Sequence, residues 1–239
     1  GSGGANAMQQ FTDLKDITAT GWTGDHRRTP FWEVIKTLSD HQVIYDVAMM
    51  ADGELREDDF TLQDIARYPM VVLPDCDKLT DSQAAVLLDY ASSGGKVVAH
   101  GRLAEGTDLL NQLQATGNLI HTQEADSFEA AMANFSQALL PAYEPLRSVE
   151  LSDKNLGVHR FTNEKGTYIH LMNYDYDQAQ DRVLPTGAVT VSVKAKGKVS
   201  VNTLEGAVSD FTVTEQADGL DITLPSVPVY LVIAVEKEG

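Results

Sequence analysis

A chain of 239 residues with 43% hydrophobic content is long enough for one large domain or two ordinary ones with real cores. Its formal net charge is −17, with 9 basic and 22 acidic side chains in residues 1–145 (net −13) and 9 and 13 in residues 146–239 (net −4). Such a surface repels phosphate backbones and anionic lipid, which argues against nucleic acid and membrane as partners, and no apolar run approaches the length of a membrane span.

Cys76 is the single cysteine, so an intrachain disulfide is impossible, and no Cys/His cluster has zinc spacing. Residues 1–7, Gly-Ser-Gly-Gly-Ala-Asn-Ala, read as a tag remnant before Met8 and are left out of the fold argument. Localisation, cytoplasmic or exported, stays open.

Apolar residues at helical spacing from Phe31 to Leu38, after Pro30 as a good first-turn residue, predict a helix starting near Thr29. A strand is expected over Val43 to Val47. The acid-rich stretch from Asp52 to Asp59 reads as a solvated loop, followed by a short helix from Thr61 to Tyr68. Met70 to Leu73 is a short apolar run closed by Pro74, which suits a strand covered on both faces. Thr80 with Gln83 three residues later forms a capping-box pattern. Ala84, Leu87, Leu88 and Ala91 then recur at i, i+3, i+4 and i+7, so that one stripe faces the sheet while Asp81, Gln83 and Asp89 stay wet. Gly94 follows the last turn, where positive φ is commonly needed, and Lys96 to Ala99 gives the next strand. The end of that strand, His100 to Arg102, is where open α/β sheets place ligands. Thr107 to Ala115 is predicted as a helix, Asn118 to His121 as a strand, and Ser127 to Leu140 as an alanine-rich helix. This alternation is the signature of a layered α/β domain with a mainly parallel sheet.

Pro141 to Pro145 breaks the pattern. Beyond it come seven short strand-like runs: Leu156 to Phe161, Thr167 to Tyr174, Val189 to Val193, Lys198 to Thr203, Phe211 to Thr214, Leu220 to Leu224 and Val229 to Val235. Val189, Val191 and Val193 share a face, as do Leu220, Ile222 and Leu224, and turn residues such as Asn163 to Gly166 and Asp218-Gly219 separate the runs. This predicts an antiparallel sandwich whose last strand, apolar on both faces, is central.

Three stretches carry a family resemblance. Tyr68-Pro-Met-Val-Val-Leu-Pro-Asp, the helix opening Leu79-Thr80-Asp81-Ser82-Gln83, and Tyr90-Ala91-Ser92-Ser93-Gly94-Gly95-Lys96-Val97-Val98-Ala99 resemble the trimerisation domain of family 42 β-galactosidases, which has a class I glutamine amidotransferase-like fold. The later His170-Leu171-Met172-Asn173-Tyr174 and Leu220 to Ile233 are similar to the small C-terminal sandwich of such enzymes. The resemblance implies a flavodoxin- or amidotransferase-like three-layer α/β domain with a mainly parallel sheet over residues 8–145, followed by a small antiparallel β-sandwich over 146–239. In those enzymes the catalytic (β/α)8 barrel precedes the trimerisation domain, and a barrel needs roughly 250 residues by itself. The chain is therefore expected to be a non-catalytic accessory and oligomerisation region. Its implied partners are its own barrel domain and further copies in a homo-oligomer, a trimer in the family, with carbohydrate as an alternative partner.

In amidotransferases the strand after the helix runs into a nucleophile elbow that holds cysteine. Aligned on Gly95 to Ala99, that position falls at about Gly101, which carries no nucleophile. Cys76 sits after the preceding strand between Asp75 and Asp77, whose charges would weaken its thiolate character, so a structural cysteine is the plainer reading. Glu57-Asp58-Asp59 or Asp75 with Asp77 are the candidates for the two carboxylates of a glycosidase, so one alternative is a stand-alone hydrolase of amidotransferase-like type, using Cys76, or of glycosidase type, and another is a carbohydrate-binding module in which the sandwich binds sugar without catalysis. Asp175, Asp177 and Asp181 lack the EF-hand pattern and read as turn-forming acids. Tyr174 and Tyr176 are candidates for stacking on a sugar ring, and Trp22 with His26-Arg27-Arg28 for an interface. His100 reads as hydrogen-bonded structure. No catalytic, cofactor-binding or metal-ligating residue is assigned.

Overall fold

A computed structural model describes residues 31–237 apart from 52, 54, 55 and 124. Its described residues divide into one unit of 31–35 with 46–144 and another of 36–45 with 145–237. Among them no helix is long and apolar enough to cross a membrane.

The first unit is built on α1 (Phe31–Asp40, which begins in it), α2 (Leu62–Ile65), β1 (Met70–Cys76), α3 (Asp81–Ser92), β2 (Lys96–Leu103), α4 (Leu109–Ala115), β3 (Leu119–Thr122) and α5 (Phe128–Tyr143). The three strands form one parallel sheet in the order β1-β2-β3, with Val71 opposite Val97 and Val97 opposite Leu119. Alternation sends Val97 and Ala99 to the face where Leu87 and Ala91 of α3 and Leu109 and Leu113 of α4 are buried. On the opposite parity His100 meets Phe135 of α5 edge to face, ring centroids 5.7 Å apart. Each apolar side chain fully buried in this way contributes about 1.5–3 kcal/mol, which outweighs the helix propensities of these short elements.

Helix α3 starts as its sequence predicts. Thr80 Oγ1 accepts from the Gln83 amide at 3.1 Å, and Gln83 Oε1 accepts from the Thr80 amide at 3.3 Å. Gln83 is not wet as the stripe implied: it is 1% exposed, because its Nε2 also donates to the Ala51 carbonyl at 2.6 Å. At the other end Gly94 takes φ +97 after the Ser93 cap. Gly95 is glycine for a tertiary reason, since a Cβ there would stand 2.2 Å from the Tyr90 ring. That ring is buried and its hydroxyl donates to the Tyr68 carbonyl at 2.8 Å, and burial pushes its pKa up to about 12.

Two proline boundaries move, and one predicted strand does not form. Pro74 does not close its strand; β1 continues to Cys76, which an edge strand tolerates because it can spare one donor. Pro141 lies inside α5, which runs on to Tyr143 because the buried stripe Ala131, Phe135, Leu139, Tyr143 continues at spacing four past the proline. The expected strand at Val43 to Val47 is absent. Gln42 turns at φ 54, Ile44 packs on the sandwich core, Val47 is exposed, and the chain passes from one unit to the other after Tyr45, so no ladder forms.

The second unit is antiparallel: β4 (Val149–Leu151), β5 (Leu156–Thr162), β6 (Gly166–Asn173), β7 (Tyr176–Asp177), β8 (Arg182–Val183), β9 (Val189–Val193), β10 (Lys198–Thr203), β11 (Gly206–Val208), β12 (Thr212–Glu215), β13 (Leu220–Leu224) and β14 (Tyr230–Glu236). Four of these strands exceed the expected seven, and all four are two or three residues long, too short for a period to be read. One sheet has the order β11-β10-β14-β6-β5 and the other β12-β13-β9-β4, with β7 and β8 pairing alone. The final strand is central in its sheet, as its two-sided apolar character predicts. Ile169, Leu171, Leu231 and Ile233 from the first sheet and Val189, Val191, Ile222 and Leu224 from the second form one core, each at most 1% exposed. Asn173 fixes the loops at one end: its Nδ2 donates to the carbonyls of Leu184 (2.8 Å), Val227 (3.1 Å) and Pro228 (2.8 Å), and its Oδ1 accepts from the Asp175 amide at 2.9 Å.

Candidate functional site

The C-terminal rim of the parallel sheet is where ligand chemistry was expected. Between Pro74 opposite His100 and Cys76 opposite Leu103 the register slips, with one residue on β1 facing two on β2. The slip places Asp75 at φ +49 and Gly101 at φ +76, and Ala104 follows at φ +42. Side chains other than glycine avoid this region, so the bend is held by its surroundings. Asp75, 3% exposed, is the clamp: its Oδ1 accepts from the Arg102 amide and from Arg102 Nε, both at 2.9 Å, and its Oδ2 from Arg102 Nη2 at 2.5 Å. Arg102 Nη1 also donates to Asp77 Oδ2 at 2.9 Å. Burial would raise the Asp75 pKa, but the Arg102 hydrogen bonds and charge, with a smaller contribution from His100, hold it below the ordinary carboxylate value. The same hydrogen bonds raise Arg102 against the opposing effect of burial.

The space that a side chain at Gly101 would take is therefore filled. A Cβ on Gly101 would lie 2.9 Å from Asp75 Oδ1. Asp75 and Asp77 form a paired structural cluster with Arg102. Cys76 is buried, with its Sγ 3.8 Å from the Pro74 carbonyl. His100 is 1% exposed, its Nδ1 2.9 Å from Thr122 Oγ1, and His121 Nε2 lies 2.7 Å from the Gly101 carbonyl. The stretch His100 to Arg102 was singled out in the sequence, but its pairing with Asp75 was not. The available signal was an Asp-X-Asp at the end of one strand and an arginine at the end of its parallel neighbour.

The other candidates separate. Glu57 and Asp59 are exposed, whereas Asp58 is no mere loop acid: Thr80 Oγ1 and Ser82 Oγ each donate to its Oδ2 at 2.6 Å. Burial acts to raise its pKa, but these hydroxyls, with Gln83 and the Phe60 amide, bring it down to about 2. Asp177 Oδ1 accepts from the amides of Ala179 (2.9 Å) and Gln180 (3.1 Å), and Asp181 accepts from the Tyr176 hydroxyl, so this loop uses its acids to turn. Among the described residues no group of three or more His, Cys, Asp or Glu could hold a metal. Trp22, His26, Arg27 and Arg28 lie outside the described residues.

Tyr174 has a different setting. It follows β6 on the parity of Tyr168, His170 and Met172, and it leans diagonally across Gly157 of β5. A Cβ on Gly157 would be 2.4 Å from Tyr174 Cε2, and the Tyr174 hydroxyl reaches Met172 Sδ at 3.6 Å. The ring is still 64% exposed. The register extends this face across the sheet: Gly157, Met172 and Tyr230 form one row, His159, His170, Val232 and Asn202 the next, and Phe161, Tyr168, Ala234 and Ser200 the third. Phe161 and Tyr168 have centroids 6.3 Å apart, and His170 Nδ1 meets the Tyr230 hydroxyl. Burial, with the neighbouring His159, lowers the His170 pKa. The sequence reading missed this row, although His159 with Phe161 and Tyr168 with His170 show it as a period of two.

No family model matches the chain, and no curated protein matches it by sequence. Among solved structures, α-L-fucosidase isoenzyme 2 from Paenibacillus thiaminolyticus superposes with a TM-score of 0.61 at 13% identity, covering 90% of this chain and 46% of that one. Gan42B, a GH42 β-galactosidase from G. stearothermophilus, superposes with a TM-score of 0.53 at 12% identity, covering 92% of this chain and 38% of that one. These structural neighbours are glycoside hydrolases, and likeness at such identity concerns the fold. The chain spans less than half the length of either.

Proposed function

We propose that this chain is the non-catalytic accessory and assembly region of a glycoside hydrolase, with an amidotransferase-like α/β unit followed by a β-sandwich and with the chemistry carried by a barrel domain outside it. The observation that carries this reading is the asymmetry of coverage: about nine-tenths of this chain superposes on less than half of each glycosidase. The sheet rim supports it. Where an amidotransferase-like elbow would present a thiolate, Gly101 leaves room only for the Asp75 carboxylate that binds Arg102. Homo-oligomerisation, as a trimer, is the assembly proposed for the whole enzyme.

Two measurements test this function. The chain should turn over neither chromogenic β-galactosides and α-L-fucosides nor glutamine; turnover abolished by Cys76→Ala or by one carboxylate substitution would make it an enzyme in its own right. Light scattering on the full-length enzyme should give an oligomer, and a strict monomer would remove the assembly role.

A further inference from the structure

We propose that the outer face of the five-stranded sheet binds neutral oligosaccharide chains, with the Tyr174 ring as its stacking platform. The inference goes beyond the accessory role and does not depend on it.

Tyr174 is a pinned, open ring. One of its faces lies against the backbone of Gly157 and the hydroxyl is tethered to Met172, yet the residue stays 64% exposed. An aromatic ring held this way has already lost its rotamer freedom and offers an electron-rich face to water. The C–H face of a pyranose suits that face, and the sugar's hydroxyl edge needs nearby donors and acceptors. His159 and Asn202, both exposed, and the His170–Tyr230 pair supply them. Phe161, 52% exposed, provides a second ring on the same parity.

Charge narrows the occupant. The three rows carry no Asp, Glu, Lys or Arg, and Lys198 and Glu236 come only in the row beyond Ser200 and Ala234. In a chain of net charge −17 such a face offers no ionic partner to a phosphate, a sulfated glycan or a basic peptide. A second copy of the chain would be served by exposed aliphatic side chains at the centre of the face. Here Ala234 is buried, Val232 is half-buried, and the rows end in Ser200 and Asn202. Length follows from the strand rise: Gly157 and Phe161 are four residues apart, or about 14 Å at ~3.4 Å per residue, so the face spans several sugar rings rather than one.

The test is affinity electrophoresis of the chain in gels containing galactan, xylan, glucomannan, carrageenan or polygalacturonate, with calorimetric titration of oligomers of any polymer that retards it. At least one neutral polymer should retard the chain, the two anionic polymers should not, and the matching monosaccharide should bind far more weakly. Tyr174→Ala should weaken binding about tenfold or more. Gly157→Ala should do the same while keeping the tyrosine, because its methyl group unseats the ring. Tyr176→Ala should leave affinity unchanged, and all three variants should melt like the parent chain. Failure of every neutral polymer, equal retardation by the anionic ones, or full affinity in Tyr174→Ala and Gly157→Ala overturns the proposal. So does loss of self-association in those two variants by light scattering, which would make the face a protein interface.

Discussion

Gly101→Ala should be far more damaging than a typical glycine substitution. Left-handed backbone costs a non-glycine residue about 1–2 kcal/mol, and Gly101 has φ +76. The new methyl would also lie 2.9 Å from Asp75 Oδ1 and 3.4 Å from the Asp75 Cβ and Cγ, closer than the carboxylate can accept without moving. Asp75 is 3% exposed and held by three hydrogen bonds from Arg102, so there is no open space to move into. Losing one charge-assisted bond of this kind costs about 1.5–3 kcal/mol. The sum is about 2.5–5 kcal/mol, which for a chain of this size lowers Tm by roughly 5–20 °C. Thermal scanning by circular dichroism reads this directly, and a double-mutant cycle isolates the clash. Asp75→Ala alone removes three hydrogen bonds from the half-buried Arg102, which keeps Asp77 as a partner, and costs about 1.5–3 kcal/mol. With no carboxylate left to collide with, adding Gly101→Ala to it should then cost only the backbone strain, about 1.5–3 kcal/mol less than in the native background. Strict additivity, or a Tm loss below about 2 °C for Gly101→Ala, would show that the carboxylate does not fill this space.

Two further outcomes follow from the same hydrogen-bond geometry. The Asp58 pKa is depressed in the folded state to about 2 from an unfolded value of about 3.9, so its stabilising contribution is present above pH ~4 and is lost as pH falls through about 2. Asp58→Asn should flatten the acid-unfolding curve in that window, and an unchanged slope would contradict the Thr80 and Ser82 contacts. Asn173→Asp should destabilise the sandwich by about 3–5 kcal/mol at neutral pH, since a carboxylate would face the carbonyls of Leu184, Val227 and Pro228 in a site 5% exposed. Its folded pKa would be raised, so the loss should shrink as pH falls and the acid protonates; urea unfolding at pH 7 and pH 5 measures this, and a pH-independent loss would refute it.

Local rules were legible where the chain satisfies its own needs. The Thr80–Gln83 box, the glycine after α3 and the alternating runs of β9 and β13 depend on neighbours within four residues, and all appear at their predicted places. The same rules failed where a distant group completes a residue. Gln83 looked exposed until the Ala51 carbonyl reached it, Asp58 looked like a solvated acid until the hydroxyls at the start of α3 met it, and Pro141 looked like a stop until Tyr143 was buried beyond it.

The candidate sites divide in the same way. Gly101 was recognisable as a glycine at the ligand end of its strand, but that the space beside it holds a carboxylate was not, because Asp75 and Arg102 are 27 positions apart and meet only through a register slip. Tyr174 was visible as an aromatic at a strand end, and its seat on Gly157 was not.

The amino-acid order alone determined an α/β half and a β half, because period, capping and turn chemistry are short-range properties. Only the tertiary structure decided which polar side chains are buried and which aromatic faces stay open. Those outcomes depend on pairings between strands, and strand register is set by the packing of a whole face rather than by any one segment.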